Sequence, residues 1–127
     1  MQYLIDTNII VQILKGNAAL TRFINSLDAL IDTTVYVESL QGGKSNTEKR
    51  RVKKLVDSFP VLHFTPDISK QTIKLIDKFS NSHNLLLPDA QIVACSLEYD
   101  LTLVTYNIKD FRFIADLSLL EPAFSQI

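Results

Sequence analysis

Apolar residues fall into short continuous runs that alternate with stretches of helical period. Tyr3, Leu4 and Ile5 form a run too short for a helix and predict a buried strand. Asp6, Thr7 and Asn8 read as the turn into a helix whose inner face carries Ile9, Ile10, Ile13 and Leu14. Leu20, Phe23, Ile24, Leu27 and Leu30 recur at helical spacing, so a helix is expected over 18–30 and a short second strand over 31–34. The segment "VYVESLQGG" predicts a helix stopped by the pair Gly42 and Gly43. In "NTEKRRVKKLVDSF", Asn46 or Thr47 is the expected N-cap, Val52, Leu55, Val56 and Phe59 are the buried stripe, and Pro60 ends the helix.

The second half repeats the alternation. "VLHF" predicts a third strand, Pro66 a turn, and Ile68, Thr72, Leu75, Ile76 and Phe79 an amphipathic helix followed by a polar loop, "SNSHN". Pro88 is expected to begin a largely buried helix, "PDAQIVACSLEY". "LTLVT" is the fourth strand and "SLLEP" a short fifth. No internal repeats or low-complexity tracts interrupt the pattern. Strands alternating with helices predict an α/β fold, a three-layer α/β/α sandwich around a parallel sheet of four or five strands.

Length and composition narrow the class. The 127 residues fit one domain, 1–127, large enough to bury a real core. With 46% apolar and 21% charged residues the chain is neither disordered nor membrane-spanning. The N-terminus lacks the basic region and cleavage site of a signal peptide, and a single Cys95 excludes an internal disulfide and a multi-cysteine zinc site, so a cytoplasmic protein is expected. Thirteen basic side chains against fourteen acidic ones argue against a strongly basic nucleic-acid binder. If several acids are gathered in one metal site, however, the rest of the surface is net basic.

Four acids stand at positions where such a gathering is possible. Asp6 follows the first strand, Glu38 lies in the helix after the second, Asp89 is in the first turn of the buried helix, and Asp110 lies just past the fourth strand. In open α/β sheets the carboxyl ends of parallel strands share one edge, where ligands bind. Two carboxylates about 5 Å apart repel by roughly 3 kcal/mol at an effective dielectric of 20, so a cluster of four calls for cations. Oxygen ligands select Mg²⁺ or Mn²⁺, and Mg²⁺ commonly joins carboxylates to a substrate phosphate. Each acid also has a local reading. Asp6 is a favoured N-cap type, Asp89 complements a helix dipole, and Asp110 has capping-box spacing from Asn107. Glu38 has no basic partner three or four residues away and could occupy a solvated helix position.

Taken in order, "LIDTNII", "VESLQG", "LPDAQIVA" and "LVTYNIKDF" resemble the four acidic motifs of PIN domains, in particular the small VapC-type toxins of toxin–antitoxin pairs. One motif departs in detail. The family's frequent E-L-x-x-G is here Glu38 Ser39 Leu40 Gln41 Gly42, with acid and glycine at the usual separation. The resemblance implies a PIN-like sandwich and a Mg²⁺-dependent endoribonuclease, often acting on transfer or ribosomal RNA, neutralised by a cognate antitoxin and commonly a homodimer. By motif position Asp6 and Asp89 would be the principal metal ligands, and Glu38 and Asp110 supporting acids. Thr7, Asn8, Thr105 and Asn107 would orient carboxylates or a bound water by hydrogen bonds. Water activated by metal would attack phosphorus without a histidine base.

RNA affinity would then come from cations. Lys44, Lys109 and Arg112 lie close in sequence to the acids and are the preferred phosphate contacts, whereas "KRRVKK" also reads as a solvated helix face. His63, in the expected third strand, and His83, in the expected loop, pair with no acidic motif, and Cys95 reads as a packed core residue. A phosphoaspartate receiver would show paired first-strand acids and a lysine after the last strand, both missing here. A haloacid-dehalogenase-type phosphatase would place Asp at Asn8. A PIN-like binding module that has lost catalysis is the remaining alternative, and the intact acids argue against it.

Overall fold

The computed structural model describes residues 1–127. Its strands are β1 (Tyr3–Ile5), β2 (Ala29–Asp32), β3 (Val61–Leu62), β4 (Thr102–Val104) and β5 (Ser118–Leu120). Its helices are α1 (Thr7–Leu14), α2 (Ala18–Asn25), α3 (Thr33–Gln41), α4 (Asn46–Val56), α5 (Pro66–His83), α6 (Leu87–Glu98) and α7 (Ile108–Phe111).

The strands form one parallel sheet in the order β3-β2-β1-β4-β5, with Tyr3 level with Ala29 on one side and Thr102 on the other. Successive strand residues point to opposite faces. Leu4 and Ile5 are both fully buried, as are Leu103 and Val104, so helices cover both faces of the central strands and the expected α/β/α layering is what forms. From β1 the chain adds β2 and β3 on one side, then crosses to add β4 and β5 on the other. The order therefore reverses between β1 and β4, the kind of switch point where α/β sheets open a crevice.

Several boundaries differ from the sequence reading. The helix expected over 18–30 ends at Asn25, and Leu30 belongs to β2, which starts at Ala29 rather than at residue 31. Ser26 closes the helix by donating its Oγ to the Phe23 carbonyl at 2.6 Å, and the Tyr3 N–H takes the Asp28 carbonyl at 3.0 Å. Ladder bonds to β1 thus outweigh the helical period that reached Leu30. The N-cap of α4 is Ser45, not Asn46 or Thr47; its Oγ accepts from the Glu48 N–H at 3.1 Å. Gly43 admits the close approach of this helix, since a Cβ there would sit 2.9 Å from Lys49 Cγ and 3.2 Å from its backbone nitrogen.

The third strand is only Val61–Leu62, because β2 alone offers it a partner, and His63 lies beyond it and is exposed. The segment "SNSHN" is mostly helix. α5 runs on to His83 and stops at Asn84, which takes the left-handed conformation with φ 53°. Phe79 and His83, one turn apart, both pack on Phe113, and that contact extends the helix through a polar stretch. α6 begins at Leu87, with Pro88 inside its first turn. Val52 and Val56 of the α4 stripe are buried, with Leu55 and Phe59 half-buried beside them. No helix is long and apolar enough to cross a membrane.

Candidate active site

Asp6 stands where β1 ends and α1 begins, with extended backbone (φ −76°, ψ 159°) and 6% exposure. Its Oδ1 accepts the Thr7 N–H at 2.7 Å, so the local capping reading is correct as far as it goes. The cap accounts for only one oxygen. Oδ2 accepts from Thr105 Oγ1 at 2.7 Å and from Asn8 Nδ2 at 3.3 Å. Thr105 follows β4, so these bonds tie the ends of the two strands that flank the switch point. Asn8 Nδ2 also donates to Thr105 Oγ1 at 3.1 Å, and Asn8 Oδ1 accepts the Tyr106 N–H at 3.2 Å. The Asn107 N–H donates to Thr105 Oγ1 at 3.0 Å.

Glu38, half-buried on α3, joins from the neighbouring strand's side. Its Oε1 accepts from Thr7 Oγ1 at 2.8 Å. That helix is in turn tied to α6 by Thr34 Oγ1, which donates to Gln91 Oε1 at 3.1 Å. Asp89 lies half-buried in the first turn of α6, whose N-cap, Leu86, supplies no side-chain bond. Asp110 lies exposed in the short α7. Its capping-box reading fails, since the Asn107 side chain makes no cap bond to that helix.

Electrostatics show which of these acids share a field. Burial pushes the Asp89 carboxyl up to about 6, and the charges of Asp6, Glu38 and Asp110 push the same way. Asp6 is also raised, first by burial and then by Glu38, against the opposing bonds from Thr105, Thr7 and Asn8. No basic side chain contributes to either shift. The fold therefore brings four carboxylates from four elements into one field near the switch point, where the charges of Asp6, Glu38 and Asp110 all act on Asp89.

No three acidic, histidine or cysteine side chains close into a cage around a single point. Mg²⁺ does not need one, since it keeps several waters and takes one or two carboxylates together with substrate phosphate. The all-oxygen donor set and the uncompensated charge fit such an ion.

Two clefts flank the acids. One, of about 370 Å³, has Thr7 and Glu38 on one wall and Lys15, Lys44 and Arg51 among its other lining residues. The other, of about 330 Å³, is lined by Asp89 and Asp110 together with Lys109 and His83. Lys44 thus lines the cleft that holds Glu38 and Lys109 the cleft that holds Asp89 and Asp110, whereas Arg112 is exposed at the C-cap of α7 and lines neither. Of the "KRRVKK" block, Arg51 reaches the first cleft and donates to the Leu14 carbonyl.

Sequence reasoning missed Asp32. The tetrapeptide Leu-Ile-Asp-Thr occurs twice, at 4–7 and at 30–33, and each aspartate ends a strand and caps the next helix. Repetition of that tetrapeptide was the available signal. Asp32 is fully buried; Oδ1 accepts the Val35 N–H at 2.8 Å and Oδ2 lies 3.6 Å from Cys95 Sγ. Burial raises its carboxyl, and burial with the Asp32 charge pushes the Cys95 thiol up strongly, which makes it an inert core group.

Known proteins resemble this chain in both sequence and shape. Ribonuclease VapC10 of Mycobacterium tuberculosis is 29% identical over 126 residues, covering 96% of this chain and 92% of the relative. A toxin–antitoxin complex from Klebsiella pneumoniae superposes with a TM-score of 0.78 at 25% identity, covering 98% of this chain and 99% of that one. VapBC2 of Rickettsia felis, bound to a DNA fragment from its promoter, superposes with a TM-score of 0.80 at 23% identity, covering 96% and 99%. The PIN domain family model matches residues 3–117, a span that holds all four acids. A parallel sheet that delivers Asp6, Glu38, Asp89 and Asp110 to one edge, in a chain matched by that model over nearly its whole length, belongs to the PIN domain family.

Proposed function

We propose that the protein is a metal-dependent endoribonuclease that acts as the toxin of a toxin–antitoxin pair, cutting RNA at the acidic cluster of Asp6, Glu38, Asp89 and Asp110. One observation carries the reading above all: Asp6, Glu38 and Asp110, from three other elements, all act on the half-buried Asp89 carboxyl, which burial and their charges drive up to about 6. A fold that holds such repulsion is built to be neutralised from outside. The names of the relatives, a ribonuclease and VapBC complexes, support the same reading.

Asp6 and Asp89 would hold Mg²⁺, or Mn²⁺ in its place, with Glu38 and Asp110 as supporting ligands. When bound, the ion supplies charge neutralisation at the phosphate and a lowered pKa for water. The protein's own residues do the rest by position. Thr105 and Asn8 hold one Asp6 oxygen and the Thr7 N–H the other, so the carboxylate cannot rotate away as charge builds up on the substrate. Thr7 Oγ1 donates to Glu38 and so fixes α3 against the start of α1. Lys44 in one cleft and Lys109 in the other are the cations placed to contact substrate phosphates. A transfer or ribosomal RNA is the proposed substrate and a small antitoxin protein the proposed partner.

The test is cleavage of RNA by the chelator-treated protein after Mg²⁺ or Mn²⁺ is restored. Cutting should depend on added metal and fall at least about a hundredfold in Asp6→Asn, the loss of roughly 3 kcal/mol of transition-state stabilisation. Cleavage that persists in chelator, or near-normal activity in that variant, would overturn the reading.

A further inference from the structure

His83 is not used by the chemistry above, yet it stands at the edge of the acidic cluster. Its ring is stacked on Phe113 with centroids 4.1 Å apart and planes 11° from parallel. Phe79 buttresses both rings from the side, meeting Phe113 at 5.0 Å and 66° and His83 at 5.7 Å and 76°. Ser82 Oγ lies 2.8 Å from His83 Nδ1, which fixes the ring's rotation. The imidazole is nevertheless exposed. An exposed aromatic ring, held rigid by two others and lying in the same cleft as two of the acids, is an ordered stacking surface, so a ligand ring would meet it without the entropy cost of ordering it.

The cleft measures about 330 Å³, and its walls differ in character. His83 and Phe113 form the aromatic side, Leu86 is 61% exposed and offers an apolar contact, Lys109 adds a cation, and Asp89 and Asp110 lie at the acidic end. Aromatic, apolar and cationic groups side by side suit a nucleotide, with its flat base and anionic phosphate. Asn84, held in the left-handed conformation at the end of α5, lines the same cleft and brings an amide able to read a base edge. Phe113 also lines the neighbouring cleft, of about 340 Å³, which carries Lys74 and Lys78, so a single strand leaving His83 meets further cations.

We propose that this cleft binds one nucleobase of the RNA beside the scissile phosphate, stacked on His83, with Lys109 contacting the adjoining phosphate. The inference rests on the ribonuclease reading and deepens it, making His83 a substrate-binding residue and Asn84 a determinant of which base is taken. Stacking itself accepts any base, so discrimination falls to the base-edge contacts.

The experiment uses a short, labelled single-stranded RNA with one cleavable bond, and versions carrying a single abasic residue on either side of it. Binding is measured in chelator, and kcat and KM with Mg²⁺, for the wild type, His83→Ala and His83→Phe. His83→Ala should weaken binding and raise KM about tenfold while leaving kcat within about twofold, and His83→Phe, which keeps the stack, should bind nearly as the wild type. One abasic position should weaken wild-type binding by a similar factor and leave His83→Ala no weaker than it already is. The inference is overturned if His83→Ala binds RNA like the wild type, or if the abasic series is flat on the wild type, a measurement that needs no variant to fold. A His83→Ala protein that keeps its RNA affinity but loses its antitoxin would assign the cleft to the protein partner and overturn it as well. Failure of the wild type to bind or cut any RNA would remove the ribonuclease reading together with this one, whereas cleavage with a flat abasic series removes only this one.

Discussion

Replacing Asp89 by asparagine should make the metal-free protein more stable at neutral pH, although it disables the site. The Asp89 carboxyl stands at about 6, raised from 3.8 by burial first and by Asp6, Glu38 and Asp110 after it. Between those two values the folded protein keeps a proton that the unfolded chain has released. Stability therefore falls as pH rises through about 4 to 6, and the whole penalty is present above 6. Two pKa units correspond to about 3 kcal/mol; because Asp89 is only half-buried, solvent screening reduces this to on the order of 1–2 kcal/mol. Asparagine removes the charge but also removes a favourable interaction with the start of α6, worth about 0.5 kcal/mol. The net gain is about 1 kcal/mol, or roughly 4 °C in Tm for a chain of this length. Urea unfolding followed by circular dichroism, in chelator at pH 8 and at pH 3.5, tests it. The variant should lead at pH 8 and lose most of its lead at pH 3.5, where Asp89 is protonated in the folded state and mostly so in the unfolded one. Added Mg²⁺ should stabilise the wild type more than the variant and narrow the gap. A variant that is less stable at pH 8, or a lead that is unchanged at pH 3.5, would refute the cost of the charged, buried Asp89 carboxyl.

Thr105→Val should cost about 1–2 kcal/mol in urea unfolding, because it leaves the buried Asp6 oxygen without its 2.7 Å donor, and cleavage should fall with it; unchanged stability would show that the bond is dispensable. Expression without a partner should arrest growth and the Asp6→Asn protein should not, so an equally toxic Asp6→Asn protein would separate toxicity from cleavage. Attack by water predicts a 3′-hydroxyl and a 5′-phosphate at the cut, with cleavage persisting at a single 2′-deoxy nucleotide; a 2′,3′-cyclic phosphate found by end-group analysis would mean that the RNA's own hydroxyl attacks. Cys95, buried and with its thiol pushed up, should react with a thiol reagent only as fast as the protein unfolds, so labelling at native protein should track added urea.

The sequence by itself determined what depends on neighbours within a turn or two. The alternation of apolar runs with helical periods shows the α/β order, and the strand–Asp–helix grammar at Asp6 shows an acid delivered to a strand's carboxyl end. The order of the four acidic motifs led to the right family. Tertiary structure decided everything that depends on register or on residues far apart in the chain. Leu30 carries a helical period yet is drawn into β2 because pairing with Leu4 of β1 supplies ladder bonds that no local signal announces. The same tetrapeptide, Leu-Ile-Asp-Thr, yields two different aspartates. Asp6 accepts from Thr105 at the switch point and lies in the field of Glu38, whereas Asp32 meets Cys95 and is sealed in the core. His83 lies in a polar stretch, and only the docking of α5 near Phe113 turns it into the outer ring of an aromatic stack. Local chemistry fixes how each segment bends and caps itself, but a side chain's partner is chosen by packing, which sums weak contacts over the whole chain.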